Sequence, residues 1–567
     1  MKPSGTGLSR GLTDYGDREF SLYLRRTFAK SMGFSDAMLE RPIVGIATAG
    51  GGFNNCHRTT PELVAAVSRG VLTAGGLPLD FPTISLGEPF LSPTSLVFRN
   101  LMAMDVEEMI RAQPMDAVVL IGGCDKTLPA QLMGAISANK PAIALVVGPM
   151  MTGSFEGTRL GACTDCRSWW ARFRAGELSE ERIRGVESNL ATTAGTCAVM
   201  GTASTMACVT EALGMSLPGA ATPPAVHAER LRVAEATGAR AVALARDDVT
   251  PDQIVTPAAV ENALRVLFAL GGSTNGIIHL TAIAGRRGIP LTLQRFNELS
   301  ADTPVLVNLK PVGDHYMEHF HAAGGVGALL RELAPLLNRD TVSVAGETLD
   351  ERLAHVPAYV DRTVIRPFGE PIVARDALVA LFGNLAPNGA ILKAAAADPR
   401  LMEHDGRAVV FRDLADLAAR IDAPDLDVEP DDVLVLQHAG PVGAGMPEAG
   451  YLPIPKKLLA RGVRDMLRIS DARMSGTAYG AIVLHVSPES ALGGPLAAVR
   501  NGDRIRVSLR EKRLDVVLTD AEIAARIEQF VSPAPPRRGY AKLYAQHILG
   551  PERGCDFDFL TSEGTAE

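Results

Sequence analysis

The sequence predicts an α/β domain with a parallel sheet, followed by a mainly β, barrel-like domain. In the first half, short apolar runs rich in Val and Ile alternate with helical patterns. In the second half, short strand-like runs are joined by turns containing Gly, Pro and Asp. With 567 residues, 47% of them hydrophobic, the chain can bury the cores of two domains.

The strands predicted for the first domain are short and continuously apolar, as expected for a parallel sheet that is covered on both faces. They are RPIVGIAT (41–48), MDAVVLIGG (115–123) and KPAIALVVG (140–148). Between the first two lies TPELVAAVSRGVLTAGG (60–76), which has the pattern of a helix. This alternation is typical of an α/β sheet.

The sequence pattern changes from about residue 340, where short strand-like runs replace long helical patterns. These runs are TVSVAGETL (341–349), RTVIRPF (362–368), DDVLVLQH (431–438), GAIVLHVSP (480–488) and DRIRVSLREKRLDVVLTD (503–520). Their spacing fits a barrel or sandwich. We place the boundary near 370, which predicts domains 1–370 and 371–567.

The charge pattern favours a small-molecule partner. A formal net charge of -8 and the absence of a dense Lys/Arg run argue against nucleic acid and against a membrane surface. The first twenty residues, MKPSGTGLSRGLTDYGDREF, include acidic residues and lack the apolar core of a signal peptide. No apolar run approaches a membrane span. We therefore expect a cytoplasmic protein.

The seven cysteines are scattered along the chain, which argues against a disulfide framework and for metal binding or catalysis. Cys124 follows a predicted strand, where α/β sheets bind ligands. Cys56 and Cys197 occupy similar loops before predicted helices, whose N-terminal dipoles favour thiolates. Three converging thiolates can hold an iron–sulfur cluster with one open iron position. The alternative is that each cysteine is a small buried apolar residue.

Three carboxylates follow predicted strands in glycine-containing loops. Asp125 adjoins Cys124, Glu88 lies in ISLGEPFLSPTS (84–95), and Glu448 lies in GPVGAGMPEAG (440–450). Oxygen ligands of this kind suit Mg²⁺. The alternative is that these residues cap helices or face solvent. A further loop, SDARMSGTAYG (470–480), contains Ser475, but no GxSxG motif marks this serine as a nucleophile.

Six segments together resemble the dihydroxy-acid and sugar-acid dehydratase family, and the resemblance covers roughly residues 40 to 510. The segments are FRNLMAMDVEEMIRAQPMDAVVLIGG (98–123), GGCDKTLPAQLMGA (122–135), AGTCAVMGTASTMACVTEALGMSLPG (194–219), GGSTNGIIHL (271–280), GPVGAGMPE (440–448) and SDARMSGTAYGAIVLHVSPESALGGPLAAVRNGD (470–503). The resemblance implies an enzyme that removes water from a 2,3-dihydroxy carboxylate to give a 2-keto-3-deoxy acid, using an iron–sulfur cluster beside Mg²⁺.

The resemblance also implies the site residues. The cluster ligands that it implies are Cys56, Cys124 and Cys197. The Mg²⁺ ligands that it implies are Glu88, Asp125, Glu448 and Lys126, the last matching a lysine that is carboxylated in family members. Ser475 matches the serine proposed as catalytic base. A 2Fe–2S cluster is favoured by similarity to the pentonate enzymes, although three cysteines are also compatible with 4Fe–4S. The family further suggests a homodimer or homotetramer.

The substrate predicted from these motifs is an aldonate. The stretch ARMSGTAYG (472–480) is similar to the sugar-acid branch, and Thr477 and Tyr479 offer hydrogen bonds to a hydroxylated chain. The alternative substrate is 2,3-dihydroxyisovalerate, from branched-chain amino-acid biosynthesis. His57 stands where family members often have Asn, and it is either a pocket residue or a structural one.

Two non-dehydratase alternatives remain at this point. An iron–sulfur electron carrier would normally surround its cluster with four protein ligands and would have no use for the three carboxylates. A thiol redox protein would use the CxxC pair Cys163 and Cys166 in GACTDCRSWW (161–170). We favour a structural role for this pair, because no second CxxC completes a zinc site and no redox context surrounds it.

Overall fold

A computed structural model of the chain describes residues 5–12, 17–448 and 452–561. Its strands are β1 (Ile43–Thr48), β2 (Leu77–Pro82), β3 (Ala117–Gly122), β4 (Ala142–Val146), β5 (Gly153–Phe155), β6 (Thr158–Leu160), β7 (Val379–Leu381), β8 (Gly389–Leu392), β9 (Glu403–Phe411), β10 (Val433–Leu436), β11 (Arg468–Ser470), β12 (Ile482–Ser487), β13 (Arg504–Ser508) and β14 (Arg513–Val516).

The helices surround and connect these strands. They are α1 (Arg18–Ser31), α2 (Asp36–Leu39), α3 (Thr60–Thr73), α4 (Leu96–Ala112), α5 (Thr127–Ala138), α6 (Thr164–Arg174), α7 (Glu180–Leu190), α8 (Thr202–Ala212), α9 (Ala228–Asp247), α10 (Pro251–Ile254), α11 (Pro257–Ala269), α12 (Thr274–Gly285), α13 (Leu293–Ser300), α14 (Met317–Ala322), α15 (Gly325–Leu333), α16 (Leu349–Ala354), α17 (Leu414–Arg420), α18 (Pro441–Ala444), α19 (Lys456–Ala460), α20 (Asp520–Ile527) and α21 (Gly539–His547). Across the described ranges, no helix is both long enough and apolar enough to cross a membrane.

The first domain is built on a four-stranded sheet in the order β2-β1-β3-β4, with every pair parallel. Strands β3 and β4 are buried along their whole length, and helices α3, α5 and α9 pack against the sheet. The predicted α/β domain is therefore confirmed, since each of its three predicted strands and the helix at 60–76 form close to the expected positions. Burial on both faces explains why these strands read as continuous apolar runs.

The second domain is an eight-stranded sheet in the order β14-β13-β9-β10-β11-β12-β8-β7. Strands β9 to β12 run parallel, and the flanking strands are antiparallel. Phe382, just after β7, donates its N–H to the carbonyl of Lys512 and accepts one from Leu514, each at 2.9 Å. The two edge strands thus meet, and the sheet forms the predicted barrel, which is nearly closed.

Strand β10 shows how the barrel fills its two faces. Val435 joins Ile469 and Val483 in a core to which every strand of the barrel contributes, while Leu434 and Leu436 face a separate apolar cluster outside it. This alternation has the period of two that a strand requires. Two of the predicted β runs, 341–349 and 362–368, are wrong, because they form only isolated bridges and lie outside the barrel.

The C-terminal segment after α21 returns to the first domain. Arg99 of α4 donates hydrogen bonds to the carbonyls of Gly554 and Cys555, at 2.8 and 2.6 Å. Arg286, just after α12, pairs with Asp556 at 2.6 Å, and both side chains are fully buried. Polar contacts therefore fix the segment against α4 and α12. The boundary near residue 370 stays a prediction.

We expect replacement of Asp556 by Asn to destabilise the protein by about 3–5 kcal/mol, because it removes a buried charge that offsets Arg286. The loss is measured by urea unfolding followed by circular dichroism. A matched control is Arg506→Ala, which removes an exposed ion pair with Asp405 and is expected to cost less than about 1 kcal/mol. Equal stability of the two variants would contradict the docking of this segment.

Candidate active site

The carboxyl ends of neighbouring strands carry the residues singled out in the first domain. Cys56 lies in the short helical turn after β1, and Glu88 lies in the one after β2. Cys124, Asp125 and Lys126 occupy the turn between β3 and α5. Because parallel strands end at one edge of their sheet, these side chains gather there.

Cys197 joins this edge through a loop that lies beside the end of β4. Thr196 donates its N–H to the carbonyl of Gly148 at 3.0 Å, and Met150 donates to Thr196 at 2.8 Å. This short parallel bridge brings Cys197 next to the segment that follows β4. The loop thereby adds a third predicted cysteine to the edge formed by β1 and β3.

The barrel contributes residues from the corresponding ends of its own parallel strands. Glu448 follows β10, and Arg473 and Ser475 follow β11. Thr164, at the start of α6, donates to the carbonyl of Thr477 at 3.3 Å. The site therefore lies between the two domains, where the carboxyl ends of both parallel sets meet.

Lys126 is at the centre of the acidic group. Its ammonium nitrogen lies 3.2 Å from Glu448, 3.4 Å from Asp125 and 3.6 Å from Glu88, and its side chain is fully buried. The structure thus brings together all four residues to which the family resemblance gives a role in Mg²⁺ binding. In this arrangement the three carboxylates converge on the lysine.

A second buried cation, Arg473, joins the acidic group and was missed in the sequence. Its guanidinium lies 2.5 Å from Glu448 and 3.1 Å from Glu88, and it donates to Thr94 at 2.6 Å. Arg473 lies two residues before Ser475, inside a loop already singled out. The sequence offered no local signal, because its partners are 25 and 385 residues away.

Asn275 was also missed, although it lies in the segment GGSTNGIIHL. Its amide nitrogen has three acceptors within hydrogen-bonding distance of its two N–H groups: Glu448 at 3.3 Å, the carbonyl of Met474 at 2.9 Å and Thr202 at 3.1 Å. The side chain therefore connects the first domain to both barrel loops of the site. Its position at the N-terminus of α12 directs the amide toward them.

The charges in this group set the protonation of its carboxyls. Burial by itself would raise the pKa of Glu88, but Lys126 and Arg473 hold that pKa well below its usual value. Burial raises the pKa of Asp125 to about 7; Lys126 opposes the rise, while Glu448 and Glu88 add to it. Asp125 is thus the carboxyl whose negative charge is least well compensated, and an additional cation would stabilise it.

Four thiols gather beside the carboxylates, and one of them was not expected. The predicted cysteines Cys56 and Cys124 interact through their thiols. The Sγ atom of Cys197 lies 3.3 Å from that of Cys163, whose pKa is lowered by hydrogen bonds from Cys166 and then from Cys197. The isolated CxxC spacing favours a structural role for Cys163, whereas the structure places it in the thiol group.

His57 has a structural function. Its Nδ1 lies 2.9 Å from the carbonyl of Ala49, which requires a proton on Nδ1. Its Nε2 therefore accepts the N–H of Cys124 at 3.2 Å. Burial lowers the pKa of His57 to about 4, so the ring stays neutral near pH 7 and keeps this tautomer. His57 thus holds the turn that carries Cys124.

Ser475 lies in a loop that is tightly packed against the first domain. Its Oγ is 2.8 Å from Oγ1 of Thr477. A Cβ added to the intervening Gly476 would lie 2.4 Å from the side chain of Ser273. Gly476 therefore packs closely against Ser273, and this contact fixes the position of Ser475 relative to the first domain.

The thiols and carboxylates are donor types that fit an iron–sulfur cluster and Mg²⁺, respectively. Their geometry, however, is not that of a preformed metal site. Among the residues that the structure describes, no three His, Cys, Asp or Glu side chains are arranged to hold a metal ion. The carboxylates contact Lys126, and the thiols contact one another. Soft thiolates suit iron, and the undercompensated carboxyl of Asp125 suits a hard cation. The adjacent residues Cys124 and Asp125 would keep two such groups close together.

Comparison with known proteins places the chain in a family of dehydratases. Models of the dihydroxy-acid/6-phosphogluconate dehydratase N-terminal and C-terminal domains match residues 41–352 and 363–555. The L-arabonate dehydratase of Azospirillum brasilense is 45% identical over 98% of this chain and 97% of its own length. The 6-deoxy-6-sulfo-D-gluconate dehydratase of Pseudomonas putida is 44% identical over 93% and 91%.

A relative from the other branch is more distant. The dihydroxy-acid dehydratase of Syntrophobacter fumaroxidans is 38% identical over 94% of this chain and 96% of its own length. The matches extend through both domains and include every residue of the site described above. The chain therefore belongs to the dihydroxy-acid/6-phosphogluconate dehydratase family.

Proposed function

We propose that the protein is a hydro-lyase that removes water from an aldonate to give a 2-keto-3-deoxy acid. The observation that carries this proposal is the higher identity, 44–45% against 38%, to relatives named for sugar acids than to one named for dihydroxy acids. The hydroxyl of Thr477 beside Ser475 supports it, because a polar wall suits a hydroxylated chain. Cytoplasmic location and a homodimer or homotetramer remain predictions.

We assign an iron–sulfur cluster, with 2Fe–2S favoured over 4Fe–4S, to Cys56, Cys124 and Cys197. The same proposal assigns Mg²⁺ to the carboxylate group and a carboxylated side chain to Lys126. When bound, the cluster supplies a Lewis acid for the C3 hydroxyl, and Mg²⁺ supplies positive charge for the carboxylate and the C2 oxygen. The support is the grouping of thiols and carboxylates around the turn between β3 and α5.

The protein's own residues position the carboxylates and transfer the proton. Arg473 and Asn275 hold Glu448, and Arg473 with Thr94 holds Glu88, so the carboxylates keep fixed positions. Ser475, as an alkoxide, takes the proton from C2 of the substrate, and hydroxide leaves C3. Transfer of that proton to the hydroxide releases water and restores the alkoxide. The enol that results becomes the 2-keto acid. A serine hydroxyl is a very weak acid, so this role requires positive charge close to Ser475.

The test of the proposal is 2-keto acid formation by protein that is purified without oxygen and supplied with Mg²⁺. We expect kcat/KM to be higher for a pentonate or hexonate, such as arabinonate, xylonate, galactonate or gluconate, than for 2,3-dihydroxyisovalerate. Preference for dihydroxyisovalerate would leave the proposed dehydration unchanged but would assign the enzyme to the dihydroxy-acid branch of the family. Absence of turnover on the whole panel, from protein with full iron content, would contradict the proposal.

We expect Gly476→Ala to lower kcat by about 10²-fold with little change in overall fold, because the new methyl group must displace the Ser475 loop from Ser273. The measurement is kcat at saturating aldonate, with circular dichroism to verify folding. A control is Gly327→Ala in α15, where the added Cβ meets Val356 at an ordinary 3.4 Å. If both variants kept full activity, the tight fit of this loop would be irrelevant to catalysis.

A further inference from the structure

Cys163 lies in the thiol group but has no place in the proposed ligand set. Its Sγ is 3.3 Å from that of Cys197, a residue 34 positions away in sequence. Both cysteines are free thiols, and their sulfurs are in direct hydrogen-bonding contact. Cys197 is a proposed cluster ligand, whereas its neighbour Cys163 has no role in that ligand set.

The backbone holds the two cysteines side by side. Ala198 donates its N–H to the carbonyl of Ala162 at 3.0 Å, so the residues next to each cysteine are joined directly. Met150 packs with Ala162 and Ala198 in one small apolar cluster, and Cys163 lies against it. The two loops are thus held side by side, and the sulfurs have to approach from 3.3 Å to the roughly 2.0 Å of a disulfide bond.

The nearby Cys166 also contacts Cys163, but it lies in the same turn and not on the loop of Cys197. Its thiol donates to the carbonyl of Cys163 at 2.6 Å, and it also hydrogen-bonds the Cys163 thiol, whose pKa it lowers. Cys166 also lines a cavity of about 430 Å³, together with Trp170 and Tyr479. Both of these aromatic side chains are partly exposed, at 52% and 37%, so a small oxidant can enter this cavity and reach Cys166. Cys163 and Cys197 are themselves half-buried and not fully enclosed.

We propose that Cys163 and Cys197 form a reversible disulfide when the protein lacks its cluster. The oxidant is a peroxide. One thiol attacks the peroxide oxygen and becomes a sulfenic acid, with release of one water from hydrogen peroxide. The second thiol attacks the sulfenic sulfur, the S–S bond forms, and a second water leaves. Two thiols are oxidised by two electrons, and one hydrogen peroxide is reduced to two waters.

The disulfide has two consequences for the thiol pocket. It removes Cys197 from the proposed ligand set, so the oxidised chain cannot take up a cluster until a thiol reductant restores it. It also holds Cys197 in a reversible state, whereas an isolated sulfenic acid is oxidised further to the irreversible sulfinic acid. Cys163 thus acts as the resolving thiol for a proposed cluster ligand. The disulfide itself does not depend on which substrate the enzyme uses.

The experiment uses the full-length protein, stripped of iron by a chelator without oxygen and then given one equivalent of hydrogen peroxide. Free thiols are alkylated before tryptic digestion and mass spectrometry. We expect two of the seven thiols to be lost and a crosslink to form between the peptides 160–167 and 185–230. Reduction restores both thiols and the ability to take up iron and sulfide.

Single variants identify the bond, because each of these peptides contains two cysteines: Cys163 with Cys166, and Cys197 with Cys208. We expect the crosslink to persist in Cys166→Ser and in Cys208→Ser and to disappear in Cys163→Ser, where Cys197 instead gains the mass of two oxygens under excess peroxide. A bond between Cys163 and Cys166, or between Cys56 and Cys124, would overturn the proposal. Retention of all seven thiols would overturn it as well.

Discussion

Replacement of Ser475 by Ala is expected to lower kcat by about 10²–10⁴-fold, the usual contribution of a positioned general base. Ser475 Oγ has a neighbouring hydroxyl, that of Thr477 at 2.8 Å, and lies on a loop that Gly476 packs against Ser273. The variant removes only one oxygen from this loop, so folding and iron content are expected to be unchanged. The measurement is kcat at saturating aldonate, together with exchange of the C2 proton into deuterated water.

A matched control for this prediction is Thr477→Ser, which keeps the hydroxyl beside Ser475. We expect it to retain most of the activity, while Thr477→Val is expected to lose more because the contact is removed. Proton exchange at C2 should fall in parallel with kcat in Ser475→Ala. If exchange continued at the normal rate while kcat fell, Ser475 would act on the departure of the C3 hydroxyl and not as the base.

The strand ends explain why much of the site could be predicted. Cys56, Glu88 and Cys124 are far apart in sequence, but each follows a strand of the same parallel sheet, and parallel strands end at one edge. The apolar runs that form those strands are visible in the sequence. Local pattern and topology together therefore placed these residues near one another. The resemblance to the dehydratases supplied the proposed roles.

Residues that act through distant contacts could not be predicted in this way. Arg473 was missed because nothing next to it in sequence needs a cation. One of its carboxylate partners, Glu448, follows another strand of the barrel, and the other, Glu88, belongs to the first domain. Cys163 was given a structural role because a CxxC pair was judged on its own spacing, whereas it also contacts the thiol of Cys197, which belongs to another loop. Strands were wrongly predicted at 341–349 and 362–368 for a related reason, because a strand needs pairing partners that a single sequence does not reveal.

The second large effect is expected at Lys126, where charge balance would couple the proposed carboxylation to the proposed Mg²⁺ binding. With all groups ionised, three carboxylates and the two cations Lys126 and Arg473 give a net charge of minus one. Carboxylation replaces the positive charge of the lysine with a negative one, and a bound Mg²⁺ restores the original balance. Carbon dioxide and Mg²⁺ should therefore each strengthen the binding of the other by the same factor.

We expect tight Mg²⁺ binding, measured by calorimetry, only when bicarbonate is present, and a carbamate carbon signal from ¹³C-labelled bicarbonate only when Mg²⁺ is present. Lys126→Met should lose both and lower kcat by about 10²–10³-fold, the range for removal of one charged partner at a reacting centre. Lys512→Met, which alters a lysine paired with Asp376 in the barrel domain, serves as control and should change neither. Lys126→Met could instead bind Mg²⁺ as tightly as the unaltered protein, with or without bicarbonate. In that case Lys126 would be the ammonium counter-ion of the carboxylates. Mg²⁺ would then have to bind beside the lysine, and Asp125 would be the carboxylate best placed to hold it.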